Sequence, residues 1–202
     1  MLKRLFSLLL LSASALAQAE TFLGLEPLEP LSSIKQRYAA ARLSPEPADW
    51  LKPNQYFGRL TTEEVSGTLL LLFEHDDDTR KKKLAELEKA VAHLPPNAHA
   101  RSTRLVIRQQ KDHLAKPLDD RLALVLIRWI PEQPVALSEL TSRYGKPDEK
   151  RPGDASRGPT LVWSKGVTAY TGDDKKSARM IEYWFTEDDL AVYFLRRNTA
   201  SR

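Results

Sequence analysis

The sequence predicts an α+β protein in which two or three helices pack on an antiparallel sheet. Short apolar runs bounded by turn residues are typical of strands, and they alternate with segments whose apolar residues have helical spacing. The last third of the chain combines short strands with Gly-Asp and Asp-Asp turns, which predicts an antiparallel meander. With 202 residues, of which 42% are hydrophobic, the chain is large enough for one core of ordinary size.

The first nineteen residues have the pattern of a secretory signal peptide. Lys3 and Arg4 precede an apolar run over residues 5–11, and small residues lead to Ala19. The run is too short for a transmembrane anchor, which needs about 20 apolar residues. We therefore expect cleavage after Ala19 or Ala17 and no membrane-spanning segment after it. Because the sequence has no cysteine, it offers no site for lipidation and no disulfide, so the predicted location is a bacterial periplasm.

Residues 20–64 are predicted to form an N-terminal arm, a short helix and a proline-rich loop. In the arm, residues 20–30, leucine alternates with glutamate and proline, so we expect little regular structure there. Ser33, with Gln36 three residues later, fits a capping box at the start of the helix. The prolines between residues 43 and 58 predict an irregular loop.

Residues 65–202 are predicted to form the α+β domain. The continuous apolar run over residues 69–73 predicts a buried strand. Apolar residues at helical spacing from Leu84 to Leu94 predict a helix that two prolines end. Two further strands are expected, at residues 103–109 and 122–130.

A second helix is predicted over residues 136–144. Gly145 is expected to take a left-handed backbone conformation at its end, and Pro147 prevents continuation. Three or four strands are expected after it, at residues 161–164, 167–170, 180–186 and 190–196.

Two arrangements of these elements are open. Strand, helix, strand, strand, helix, strand from residue 65 onward is the order of a ferredoxin-like sandwich, here extended by a C-terminal hairpin. The alternative is a division into two lobes near residues 131–134. We favour a single continuous sheet.

The C-terminal third combines a short helix, a Gly-x-Pro stop, a tryptophan and a hairpin. The residues are Leu137-Ser-Glu-Leu140, Tyr144-Gly145-Lys-Pro147, Trp163 and the segment 180–196. This arrangement resembles the small SmpA/OmlA-type envelope proteins and the related β-lactamase-inhibitor fold. The resemblance implies a non-catalytic module that docks on envelope partners.

The sequence motifs predict no catalytic residue, no cofactor and no metal site. The sequence contains neither a Gly-x-Ser-x-Gly elbow nor a glycine-rich phosphate loop. His75 beside Asp76 is better explained by a helix N-terminus, which favours acidic residues, than by a metal. Carboxylates such as Glu74, Glu182 and Asp188 leave a hydrolase as the alternative.

Four residues are candidates for contact with an anion or a partner. On the predicted strand 103–109, Arg104 and Arg108 would project to the same side, and Arg101 precedes them. Trp184 lies on the opposite strand face from Tyr183, so an aromatic side chain faces away from the expected core.

These observations predict an exported, periplasmic, non-catalytic protein that binds another envelope protein or an anionic envelope component. A periplasmic hydrolase acting on a wall or carbohydrate substrate and a module binding anionic lipid or glycan are the alternatives. Lys3 and Arg4 would leave with the signal peptide, so 31 lysines and arginines become 29 against 27 aspartates and glutamates. Because this charge is nearly balanced, we expect no binding to nucleic acid.

Overall fold

The computed structural model describes residues 22–45, 54–95, 97–153 and 158–200. In these ranges the chain forms an eight-stranded antiparallel sheet with six α-helices, and two short 3-10 turns lie near the N-terminus. The predicted α+β class and the antiparallel meander are confirmed, with more helices than the two or three expected. No helix of the described ranges has the length and apolar character needed to cross a bilayer.

The eight strands of the sheet are β1 (Gln55–Thr61), β2 (Ser66–Glu74), β3 (Ala123–Pro131), β4 (Val135–Ala136), β5 (Glu149–Arg151), β6 (Thr160–Trp163), β7 (Val167–Thr171) and β8 (Ser177–Trp184). They pair in the order β1-β2-β3-β8-β7-β6-β5, and β4 pairs with β8 beside β3. This order differs from a ferredoxin-like sandwich because a helix occupies the place of the expected second strand.

The six helices differ in length and in location. The helices are α1 (Leu31–Arg37), α2 (Asp77–Ala92), α3 (Ala98–Leu114), α4 (Leu118–Arg121), α5 (Leu137–Tyr144) and α6 (Glu187–Ala200). The two helices predicted around residues 84–94 and 136–144 are confirmed as α2 and α5. Gly145 ends α5 with φ at 88°, as expected.

The N-terminal arm, expected to have little structure, packs into the core. Leu25 is fully buried, and Phe22 stacks on Tyr183 with 4.2 Å between ring centroids. The backbone N–H of Leu28 donates to the carbonyl of Leu124 in β3 at 3.0 Å. Burial of its leucines and pairing with β3 order this arm, although its local sequence does not favour regular structure.

Two buried hydrophobic clusters lie along the sheet. The first contains residues of the arm, α1 and strands β1 to β3, among them Leu31, Leu71 and Phe73. The second contains α5 and strands β6 to β8, including the almost completely buried Trp163. Tyr183 packs against both clusters.

The strand predicted at residues 103–109 is wrong, because these residues lie in the middle of α3. The side-chain oxygen of Asn97 accepts a hydrogen bond from the N–H of Ala100 at 2.9 Å and caps the helix. The apolar run Leu-Val-Ile is rich in β-branched residues and imitates a strand locally. The buried and half-buried residues Ala100, Thr103, Ile107 and Leu114 instead recur at helical spacing.

The prediction of a strand at residues 190–196 is also wrong, because these residues belong to α6. Thr186 and Asp189 form a reciprocal cap, in which each backbone N–H donates to the other's side-chain oxygen. A short apolar run without turn residues does not distinguish a strand from a helix by its pattern alone.

Two details of the N-terminal region are corrected as well. Gln55 begins strand β1, so the irregular loop predicted over residues 43–58 ends earlier than expected. Ser33 does not cap α1, because it lies inside the helix and its hydroxyl donates to Glu29 at 2.9 Å.

Candidate functional site

Helices α2 and α3 form a hairpin inserted between two neighbouring strands. Glu74 at the end of β2 lies opposite Ala123 at the start of β3, so residues 75–122 leave and re-enter the sheet at one end. The two helices pack on each other. Among the described residues, neither helix contributes a side chain to the two buried clusters of the sheet.

A buried ion pair joins the base of the hairpin to α4. The side chains of Asp77 and Arg121 are 10% and 15% exposed, and the Arg121 guanidinium donates to Asp77 Oδ2. Arg121 Nε also donates to the carbonyl of Lys116 at 3.0 Å. The second carboxylate oxygen of Asp77, Oδ1, is buried and has no hydrogen-bond partner within the described ranges.

A second polar contact links α2 to α3 near the same end. Arg80 donates to Asp76 Oδ1 at 2.5 Å and to Gln110 Oε1 at 2.8 Å. His113 interacts electrostatically with Arg80 and Asp76. Its partial burial, followed by the positive charge of Arg80, lowers its pKa. Asp76 therefore forms an ion pair with Arg80 beside the helix N-terminus and makes no side-chain capping bond.

The arginines predicted on a strand lie together on the exposed side of α3. Arg101, Arg104 and Arg108 have the i, i+3, i+7 spacing that places side chains on one helix face. Within the described ranges Arg101 and Arg104 make no ion pair, whereas Arg108 lies 3.8 Å from Asp112. Leu105, between them, is 58% exposed. We call Arg101, Arg104, Leu105 and Arg108 the α3 basic face.

The net charge of the sequence is concentrated in the hairpin. Residues 77–114 carry nine lysines and arginines against five aspartates and glutamates, whereas the remainder of the sequence has 22 of each sign. Two cations of α2 are paired, Arg80 with Asp76 and Lys81 with Asp78. Lys111 of α3 joins Glu88 of α2 at 2.6 Å. The cations left unpaired on α3 therefore lie side by side at its surface.

Trp184 occupies a different element from the three arginines. It ends β8 and is 50% exposed, whereas Tyr183 and Phe185 pack against the first cluster. The opposite orientation of Trp184 and Tyr183 is confirmed. Backbone pairing with Gly166 in the turn before β7 holds Trp184 in place, through a bond of 2.9 Å.

Glu74 and Glu182, two of the carboxylates considered for hydrolysis, are not arranged as a catalytic pair. Glu182 is paired with Arg128, and its second oxygen accepts a hydrogen bond from the Tyr170 hydroxyl at 2.8 Å. Glu74 lies opposite Ala123 and Glu182 opposite Arg128, a five-residue offset that corresponds to about 16 Å along β3. Glycoside hydrolysis uses carboxylates about 5–10 Å apart. Asp188 belongs to the first turn of α6.

The described residues contain no group of three or more histidines or carboxylates that could hold a metal ion. His75 and Asp76 are adjacent in sequence, but Asp76 is engaged by Arg80.

No family model matches the chain, and neither the curated proteins nor the solved structures contain a match to it. The resemblance to SmpA/OmlA-type proteins stays a prediction. Its residues do contact one another: the indole N–H of Trp163 donates to the carbonyl of Gly145 at 2.8 Å, and the rings of Tyr144 and Trp163 are 6.3 Å apart. Packing between α5 and β6 accounts for this group of residues.

The sequence predicts the three arginines as contact residues, but it predicts a strand where they lie on a helix, and it does not predict the exposed Leu105 among them. The signal that could have revealed α3 is Asn97 directly after two prolines, because this combination is typical of a helix start.

Proposed function

We propose that this protein is an exported, non-catalytic binding protein of the cell envelope that contacts an anionic component through the α3 basic face. The observation that carries the proposal is the concentration of unpaired cations on one exposed helix face of a hairpin that holds the net charge of the sequence. The signal-peptide pattern of the first nineteen residues supports the location.

Arginine is well suited to such contact. Its planar guanidinium donates two parallel hydrogen bonds to a phosphate or carboxylate, which a lysine ammonium cannot do. Arg101 and Arg108 are separated by seven steps of the helix, or about 10 Å along its axis, so the face can meet several anionic groups at once. Because these side chains are exposed, their interactions should weaken as salt increases.

The test is the double substitution Arg104→Gln, Arg108→Gln. Wild type and variant are compared for retention on anionic lipid vesicles and on wall fragments, at low and at moderate salt. We expect the variant to lose the salt-sensitive retention while its unfolding midpoint stays unchanged, since exposed cations contribute little to stability. The two materials separate a lipid headgroup from a wall polymer as the source of the anion.

A matched control removes two exposed arginines elsewhere. Arg59→Gln, Arg179→Gln makes the same change in charge outside the hairpin, because each of these residues forms an exposed ion pair of the sheet body. The control should be retained like wild type. Equal retention of wild type and the Arg104, Arg108 variant on both materials would overturn the proposal.

The location has its own test. Protein recovered from a periplasmic extract should begin at Glu20 or Gln18 in N-terminal sequencing. Full-length protein with Met1 intact in the membrane fraction would contradict the predicted export.

A further inference from the structure

One face of the sheet carries both buried clusters, and the opposite face is open in part. In β3 and β8 the side chains that form or contact the clusters belong to alternate residues, which are Ile127, Trp129, Ile181 and Tyr183. Because successive side chains of a strand point to opposite faces, the residues between them lie on the second face. Two exposed large apolar side chains, those of Ile130 and Trp184, lie there.

On this second face, β3 and β8 form a strip in which apolar and charged residues alternate. The register places Trp184 opposite Leu126 and Glu182 opposite Arg128. Ile130 follows Arg128 by two residues and therefore lies on the same face. Leu126 and Ile130 are separated by four steps of β3, or about 13 Å. We call Leu126, Arg128, Ile130, Glu182 and Trp184 the β3–β8 strip.

The centre of the β3–β8 strip is a polar network without net charge. Arg128 Nε donates to Glu182 Oε1 at 2.8 Å, and Arg128 Nη2 donates to the same oxygen. The Tyr170 hydroxyl donates to Glu182 Oε2 at 2.8 Å. Arg128 is 33% exposed, and three of its five N–H groups are left for other partners. Donors and acceptors therefore lie side by side within reach of a ligand.

An aromatic side chain adjoins this network. Trp184 follows Glu182 by two residues on the same face, and its ring is half exposed. Its backbone is held by the bond to Gly166, where a Cβ would lie 2.1 Å from the carbonyl oxygen of Trp184. Within the described ranges, the indole N–H of Trp184 has no hydrogen-bond partner. The ring thus offers an apolar face and a free donor next to the charged pair.

We propose that the β3–β8 strip binds a neutral β-linked saccharide chain, with one ring stacked on Trp184 and the hydroxyls of the next bonded to Arg128 and Glu182. Each hydroxyl is both donor and acceptor, so it suits a place where guanidinium N–H groups and carboxylate oxygens are adjacent. The C–H bonds on one face of a sugar ring meet the negative face of the indole. This site is separate from the α3 basic face and does not depend on the proposed function.

The charges of the β3–β8 strip favour this occupant over others. Glu182 repels an anionic ligand and Arg128 repels a cationic one, so the pair favours an uncharged polar partner. A bilayer would take the charged pair out of water without supplying hydrogen bonds in its acyl region. A second copy of the chain would bury the same network on both sides of the interface, which costs free energy for every donor and acceptor left unpaired.

The experiment is isothermal titration calorimetry with two neutral probes, the β-1,4-linked tetramers of glucose and of N-acetylglucosamine. A tetramer of galacturonate is the anionic control. The protein is used in the form that cells accumulate. The variants are Trp184→Ala and Trp184→Phe, and Phe194→Ala is the matched control, since Phe194 is an equally exposed aromatic residue of α6.

We expect wild type to bind at least one neutral tetramer, and to bind it more tightly than the galacturonate tetramer. Trp184→Ala should bind about tenfold more weakly, and Trp184→Phe should be intermediate because it keeps a smaller ring. Phe194→Ala should bind like wild type. The affinity for a neutral tetramer should not change between low and moderate salt. Unchanged thermal unfolding of Trp184→Ala shows that its loss of binding comes from the missing ring.

Several outcomes would overturn the inference and leave the proposed function untouched. These are the absence of binding to both neutral tetramers, equal affinities of wild type and Trp184→Ala, and tighter binding of the galacturonate tetramer. A dimer that Trp184→Ala dissociates, without tetramer binding, would assign the β3–β8 strip to a second copy. The variant Arg104→Gln, Arg108→Gln should bind the tetramers like wild type, and its loss of binding would place the saccharide on the α3 basic face instead.

Discussion

The sheet body buries its apolar residues in two clusters, whereas α2 and α3 bury theirs against each other. The net charge, in contrast, lies in the hairpin, which has an excess of four cations, whereas the rest of the sequence carries equal numbers of cations and anions. The body therefore provides the apolar burial that holds the fold together, while the hairpin presents unpaired charge to solvent. Substitutions in the two regions should accordingly affect different measurements, stability in one and binding in the other.

The largest effect is expected for a leucine of the body compared with a leucine of the hairpin. Leu71 is completely buried in the first cluster, so Leu71→Ala should lower the free energy of unfolding by about 2–5 kcal/mol. Leu105 is mostly exposed, so Leu105→Ala should change it by less than about 0.5 kcal/mol. Denaturant unfolding measures both. Similar losses for the two variants would show that the hairpin is part of the core.

The next effect concerns the ion pair that joins the base of the hairpin to α4. Arg121→Ala leaves the buried carboxylate of Asp77 without its partner and should cost about 3 kcal/mol. Arg59→Ala breaks an exposed pair and should cost at most about 1 kcal/mol. Hydrogen exchange should show that Arg121→Ala loosens α2 and α3 more than strands β2 and β3. Uniform loosening of the whole chain would mean that the hairpin does not open as a separate unit.

A smaller effect distinguishes two glycines of the body. A Cβ on Gly58 would lie 2.2 Å from the carbonyl oxygen of Ala41, so Gly58→Ala should cost about 2 kcal/mol through displacement of the backbone. Gly145 has open space around it, and Gly145→Ala should cost about 1 kcal/mol because φ is positive. Unfolding midpoints give the order. A larger loss at Gly145 would indicate that the end of α5 is more constrained than the contact with β1.

The smallest effect is electrostatic and lies in the hairpin. The pKa of His113 should fall below its ordinary value of 6.5, first because of burial and then because of Arg80. Since the folded state then binds fewer protons than the unfolded state, the free energy of unfolding should decrease as the pH falls below about 6.5 and level off below the folded pKa. An NMR titration measures the pKa, and Arg80→Gln should raise it. A pKa at or above 6.5 in wild type would contradict this account.

The parts of the fold that the sequence predicts correctly depend on local patterns. Each of these patterns lies within about ten residues of sequence: the apolar run of β2, the helical spacing of leucines in α2, and Gly145 at the end of α5. The arm could not be predicted in this way, because Leu25 is buried by strands distant in sequence. Residues 103–109 have the composition of a strand, and their helical state depends on packing against α2. Arg104 and Arg108 were correctly placed on one face, although by the spacing of a strand instead of that of a helix.

The adjacency of Glu74 and Ala123 makes the hairpin a modular insertion. Two antiparallel strands that end side by side, with Cα atoms about 5 Å apart, can be joined by a turn of a few residues. The register of β2 with β3 extends over eight residue pairs, from Gly67 with Pro131 to Glu74 with Ala123, and 48 residues separate Glu74 from Ala123 in sequence. Lengthening, shortening or recharging the hairpin should therefore leave the register of β2 with β3 unchanged.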